Sequence, residues 1–201
     1  MLDGLIRPHL DPWLRRAALR LKAAGATPNG VTVAGFLLGV GAFVAIALGH
    51  PLLGGVLVLV SRLADGLDGA LAAETRRTDL GGYLDIVLDF AFYGLIPLGF
   101  AIHDPAGNAL PAAVLLAAFY ANGASFLAFS ALAAKRGFET TARGEKSIYF
   151  TTGLAEATET IAVFLAFCLF PAAFPVLAYA FAAVTLWTTA FRLREAARLF
   201  G

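Results

Sequence analysis

This sequence has little charge. Asp, Glu, Lys and Arg make up 14% of its 201 residues, against 59% of hydrophobic type. An ordinary soluble domain carries about 25% charged and about 45–50% apolar residues. The scarcity excludes soluble globular, disordered, coiled-coil and nucleic-acid-binding classes. Cysteine is nearly absent too. One residue, Cys168, cannot build an intrachain disulfide framework, and it lies in an apolar run that suits a small buried side chain. With a mean hydropathy of +0.77, the chain reads as membrane-embedded. A spanning helix takes roughly 20 residues, so about six or seven helices fill the length. No separate soluble domain is expected.

The first residues do not have the short basic start and apolar core of a signal peptide. Arg7, Arg15, Arg16, Arg20 and Lys22 are spread through them, with Pro8 and Pro12 near the start. Leu10, Trp13, Leu14, Ala17, Ala18 and Leu21 recur at helical spacing, while Arg15, Arg16 and Lys22 fall on another side. Residues 1–28 are therefore expected to form an amphipathic helical segment lying in the membrane interface.

Beyond it, apolar runs punctuated by Pro, Gly and polar residues predict six spans, at about 31–49, 52–73, 81–102, 109–134, 148–170 and 176–192. The expected fold is all-α: one six-helix membrane domain over 31–192 within a single unit of 1–201. The distribution of cations supports this count. With a cytoplasmic N-terminus, the inside regions hold the five N-terminal cations, Arg76 and Arg77, then Lys135, Arg136, Arg143 and Lys146, and finally Arg192, Arg194 and Arg198. The expected outside turns hold none, and only Arg62 lies in the interior of a span. This is the positive-inside bias. It places both termini in the cytoplasm of a multi-pass protein of the cell (inner) membrane.

Six acids fall inside the expected spans: Asp65, Asp68, Asp85, Asp89, Glu156 and Glu159. Six central, lipid-facing acids would cost on the order of 15–20 kcal/mol, more than the whole stability of a typical domain, about 5–15 kcal/mol. They must face one another, a cation or water. Asp65 and Asp68 are spaced i,i+3, and Asp85 and Asp89 i,i+4, so each pair lies on one helix face. Both pairs sit near the cytoplasmic ends of helices joined by a short turn, so the faces can meet at one depth. Four converging carboxylates cannot all stay ionised unaided. Hard oxygen donors suit Mg²⁺, Mn²⁺ or Ca²⁺, and no Cys or His lies nearby to favour zinc. Gly66, Gly69, Gly81 and Gly82 flank the pairs and allow either close helix packing or the approach of a phosphate ligand. Carboxylate-held Mg²⁺ with open positions is the usual platform for diphosphates. A membrane enzyme acting on a phosphate-bearing substrate at the inner leaflet follows.

The run Asp65-Gly-Leu-Asp68-Gly69-Ala-Leu-Ala72, followed by Gly81-Gly-Tyr-Leu-Asp85-Ile-Val-Leu-Asp89, resembles the CDP-alcohol phosphotransferase signature, D-x-x-D-G-x-x-A-R, eight residues, G-x-x-x-D-x-x-x-D. Thr27-Pro28-Asn29-Gly-Val-Thr32 is similar to that family's approach to its first helix. Two positions depart: Ala73 stands where the family has Arg, and the interval between Ala72 and Gly81 is one residue shorter, with Arg76 or Arg77 as the stand-in guanidinium. The resemblance implies transfer of a lipid phosphate from a CDP-linked donor, commonly CDP-diacylglycerol, to an alcohol acceptor with release of CMP. It implies Asp65, Asp68 and Asp85 as metal ligands, and Asp89 as general base and contact to a second ion, for two Mg²⁺ or Mn²⁺ per site. Asn29, Thr32, Gly69, Ala73 and Thr78 fall at positions near the donor head group. A homodimer is implied as well.

Glu156 and Glu159, set among threonines and a glycine, are candidate contacts to the acceptor's hydroxyls or amine. Arg143 and Lys146 could meet an acceptor phosphate, although a basic loop against anionic lipid heads needs no such role. The main rival reading is a cation- or proton-coupled transporter, since intramembrane acids also mark ion pathways. Its usual internal repeats are not evident, and the acids gather at one membrane face. A prenyltransferase would be longer and richer in Asn around its aspartates. A structural scaffold leaves the carboxylates unexplained.

Overall fold

The computed structural model describes residues 3–136 and 157–201, with side chains from residue 10 onward. The expected start of the fifth span, most of the third inside loop, and with them Glu156, Arg143 and Lys146, lie outside the described residues. Among the described residues seven helices follow one another: α1 (Asp3–Ala23), α2 (Pro28–Ala47), α3 (Pro51–Glu74), α4 (Asp79–His103), α5 (Pro105–Lys135), α6 (Ala157–Leu169) and α7 (Phe174–Phe200), with a 3-10 turn at Pro171–Ala173.

The punctuation of the sequence sets these boundaries. Thr27 caps α2 by accepting the Gly30 N–H at 3.2 Å, with Pro28 in the first turn, where a missing N–H costs nothing. Gly49, at φ 84°, turns the chain out of α2, and Pro51 starts α3. Thr78 caps α4 through the Gly81 N–H at 3.0 Å. Asp104 closes α4 and caps α5 through the Gly107 N–H at 3.2 Å.

Among the described residues, four stretches are long and apolar enough to cross a membrane: α2, α4, α5 and Pro171–Phe200. The expected runs at 52–73, 81–102, 109–134 and 176–192 fall within α3, α4, α5 and α7, and most of the run at 31–49 falls within α2. The 24-residue α3 is the least apolar of the long central helices because Arg62, Asp65, Asp68 and Glu74 interrupt it. Large apolar side chains such as Leu37, Leu52, Val56 and Val176 point outward, as lipid contact requires.

The helices are held by shape. α2 packs on α3 and α4, α4 on α5, α5 on α7, and α3 on α1 and α6. At Gly39 any Cβ would overlap the Phe92 ring, so the glycine lets α2 and α4 meet. The core is aromatic. Phe100 stacks on Phe174 with ring centroids 4.6 Å apart, and Phe164 and Phe167 are fully buried beside them. Cys168 is buried in the same cluster.

Helix α1 is not independent of the bundle. Ala18 is fully buried, and Leu14 lies against Gly66 on α3. Trp13 stays two-thirds exposed, with the Arg16 guanidinium over its ring.

Candidate active site

α3 delivers Asp65 and Asp68, and α4 delivers Asp85 and Asp89. The turn between the helices is short and capped at both ends. Thr75 donates back to the Leu71 carbonyl at 2.6 Å, and Thr78 starts α4. This brings one carboxylate oxygen each of Asp65, Asp68 and Asp85 within 4.8 Å of one another. Asp68 is the most buried of the three, and its Oδ2 has no hydrogen-bond partner among the described residues. A buried, unmatched anionic oxygen beside two further carboxylates fits a divalent cation, because such an atom is costly to leave unmet.

Asp89 lies one helical turn beyond Asp85 and is engaged differently. Arg62 Nη1 donates to Asp89 Oδ1 at 2.5 Å and lies 3.4 Å from Asp65 Oδ1. Arg62 Nη2 donates to Ser61 Oγ at 3.2 Å, and Ser61 in turn donates to the Gly35 carbonyl at 2.8 Å. The guanidinium sits 3.9 Å above the Phe92 ring. Its side chain is 9% exposed, against 31% for Asp65 and 29% for Asp89. When all four aspartates are ionised, this one buried cation leaves three negative charges uncompensated.

The remaining candidates are spread around the rim. Thr32 is buried and donates to the Pro28 carbonyl at 3.0 Å. The Asn29 amide lies beside Gly81. Gly69 is exposed with open space over its Cα, and Ala73 and Thr78 are exposed at the helix ends. Arg76 and Arg77 are exposed. Glu159 is half-buried in the first turn of α6, the helix that packs on α3.

Three polar connections are not evident in the sequence read alone. One is Arg62 itself, whose only signal was its place as the lone cation in the interior of a span, three residues ahead of Asp65. A second ties α1 to the end of α3. Arg15 Nε meets Glu74 Oε1 at 2.7 Å, and Lys22 Nζ meets the Glu74 carbonyl at 2.5 Å. The third joins α7 to α5. Arg192 Nη1 donates to Asn122 O and Oδ1, both at 3.0 Å, and to Ser125 Oγ at 2.8 Å. In the sequence Arg192 reads only as one of the inside cations.

Comparison with known proteins bears on this arrangement. Residues 26–191 match the model of the family described as CDP-alcohol phosphatidyltransferase. The chain is 48% identical over 191 residues to the Inner membrane protein YnjF of Escherichia coli (strain K12), covering 95% of this chain and 92% of that protein. It is 36% identical over 98 residues to the Archaetidylinositol phosphate synthase of Pyrococcus horikoshii, spanning 48% of this chain and 52% of the other. Among solved structures, Mycobacterium tuberculosis phosphatidylinositol phosphate synthase (PgsA1) with CDP-DAG bound matches with a TM-score of 0.65 at 24% identity, over 90% of this chain and 92% of that one. The same protein in complex with manganese and citrate matches with a TM-score of 0.67 at 23% identity, over 90% and 87%. At that identity the likeness is one of fold. The family match is of another kind, because it runs from ahead of α2 into α7 and takes in all four aspartates: this chain belongs to the CDP-alcohol phosphatidyltransferase family, membrane transferases of phospholipid biosynthesis.

Proposed function

We propose that the protein transfers a phosphatidyl-type group from a CDP-linked lipid, such as CDP-diacylglycerol, to an alcohol acceptor with release of CMP. The observation that carries this reading is the approach of the Asp65, Asp68 and Asp85 carboxylates to within 4.8 Å. Asp68 Oδ2, buried and unmatched, is the atom most in need of a cation. In this reading these three residues hold Mg²⁺ or Mn²⁺. The bound ion supplies charge neutralisation for the donor's diphosphate and for the CMP that leaves.

Asp89 is the general base. It takes the acceptor's hydroxyl proton while the acceptor oxygen forms its bond to the phosphorus carrying the lipid. The bond from that phosphorus to the CMP oxygen breaks, and CMP departs as the phosphate monoester. Gly69 leaves room for the donor head group, with Asn29, Thr32, Ala73 and Thr78 around it. Glu159 orients the acceptor from α6. Glu156, Arg143 and Lys146 belong to the same expected acceptor side.

Six helices, α2–α7, cross the membrane in this reading, with α1 in the interface. The cation distribution puts both termini and the site in the cytoplasm. The relative YnjF, described as an inner membrane protein, supports that membrane. The PgsA1 structures support the donor and metal classes, one holding CDP-DAG and the other manganese. A homodimer is the family-based expectation.

The test is incubation of purified protein with labelled CDP-diacylglycerol, Mg²⁺ or Mn²⁺, and a panel of alcohols. Acceptor-dependent CMP release is expected. Its absence with every acceptor, alongside intact donor binding, would overturn the donor–acceptor reading.

A further inference from the structure

Arg62 is the only cation of the 15 that the sequence places in the interior of an expected span, Arg192 standing at the very end of the sixth. A guanidinium there is expensive to desolvate, so its position calls for a reason. It does not swing freely. Phe92 lies beneath it, Ser61 anchors one nitrogen to α2 through the Gly35 carbonyl, and Asp89 receives the other. Its Nε is buried with no hydrogen-bond partner among the described residues. Burial with one donor unmet is a poor arrangement for stability alone.

What the guanidinium does accomplish is to link the two aspartate pairs. Through one nitrogen it reaches Asp65 from the first pair, at 3.4 Å, and Asp89 from the second, at 2.5 Å. The group able to hold a metal ion contains Asp65, Asp68 and Asp85, but not Asp89. A second ion must draw on the remaining carboxylate, and Arg62 already neutralises it. The planar fork of arginine can lie on an aromatic ring while pairing with a carboxylate, which a lysine ammonium cannot do in the same way.

We infer that Arg62 is a built-in cation standing at the second-cation position. The resting protein takes up one divalent ion at Asp65, Asp68 and Asp85, and a second ion binds only by displacing Arg62 from Asp89. Arg62 is thus a positioning residue for Asp89, holding the fourth carboxylate until the site is loaded. The inference rests on the metal reading proposed above and adds an order of loading to it.

The experiment counts ions rather than turnover. Purified protein in detergent is titrated with Mn²⁺, and free Mn²⁺ is followed by electron paramagnetic resonance, with no donor present. The wild-type chain is expected to bind one Mn²⁺ tightly and a second at least about tenfold more weakly, a typical size for coupling between sites. In Arg62→Gln the two affinities should converge, because Asp89 is released. Arg62→Lys keeps a positive charge and should retain most of the wild-type difference; it also serves where Arg62→Gln does not fold. Asp89→Asn should leave the first ion unchanged and remove the second. Two ions of equal affinity in the wild type, or an unchanged difference in folded Arg62→Gln, would overturn the inference while leaving the metal site standing. No Mn²⁺ binding to folded wild-type protein would overturn both.

Discussion

Helix α4 has two unlike halves. Its first half carries Asp85 and Asp89 and faces Asp65, Asp68 and Arg62, so its neighbours are chosen by charge. Its second half carries Ile96 and Phe100, fully or almost fully buried in the apolar core, with Phe100 against Phe167 and Phe174, so its neighbours are chosen by shape. Phe92 stands at the border, with its ring under the guanidinium and its edge against Gly39. The packed half fixes where α4 lies relative to α2 and α5. The polar half then inherits a geometry that mutual repulsion of the carboxylates would not choose. Rigid apolar packing is what lets like charges be held together long enough to wait for a cation.

The contrast can be broken from either side. Removing divalent cations should have the largest effect: EDTA should abolish CMP release, and Mg²⁺ or Mn²⁺ should restore it. Undiminished release in EDTA would end the metal reading. Next, Asp89→Asn should lower CMP release by about 10²- to 10⁴-fold, the usual range for a general base, with donor binding largely kept. Near-normal release with a true acceptor would remove Asp89 from that role. In the packed half, Phe100→Ala should destabilise the fold by about 3–5 kcal/mol, seen as a large fall in Tm in detergent. Asp68→Asn, by contrast, should leave the metal-free Tm close to wild type while weakening Mn²⁺ and donor binding together.

Two smaller effects sharpen the border. Gly39→Val should cost about 1–3 kcal/mol by forcing α2 away from Phe92, and should loosen Arg62 with it. An unchanged Tm would show that Phe92 has room to move. Smallest of all, Glu159→Gln should raise the acceptor KM or change acceptor preference, with donor binding intact. Wild-type kinetics with the true acceptor would return Glu159 to a packing role.

Most of this site was legible because its residues are local in sequence. Asp65 with Asp68, and Asp85 with Asp89, each share a helix face by spacing alone, and a short turn forces the two helices to be neighbours. The Pro and Gly punctuation was likewise local, and α2, α3 and α5 begin at Pro28, Pro51 and Pro105, while the Thr27 and Thr78 caps came from the structure. Arg15 with Glu74 and Arg192 with Asn122 are 59 and 70 residues apart. No spacing rule joins such pairs, and both arginines read as ordinary inside cations.

The sequence by itself determined that the chain is helical and membrane-embedded, because scarce charge and long apolar runs leave no other way to satisfy the backbone. It also determined which aspartates share a face, because helical periodicity is intrinsic to the backbone. Only the tertiary structure decided that three of the four aspartates group within reach of one ion while the fourth is taken by Arg62. That division depends on how closely α2, α3 and α4 approach at Gly35, Gly39 and Ser61. The approach is set by the fit of side chains distant in sequence, which no local pattern records.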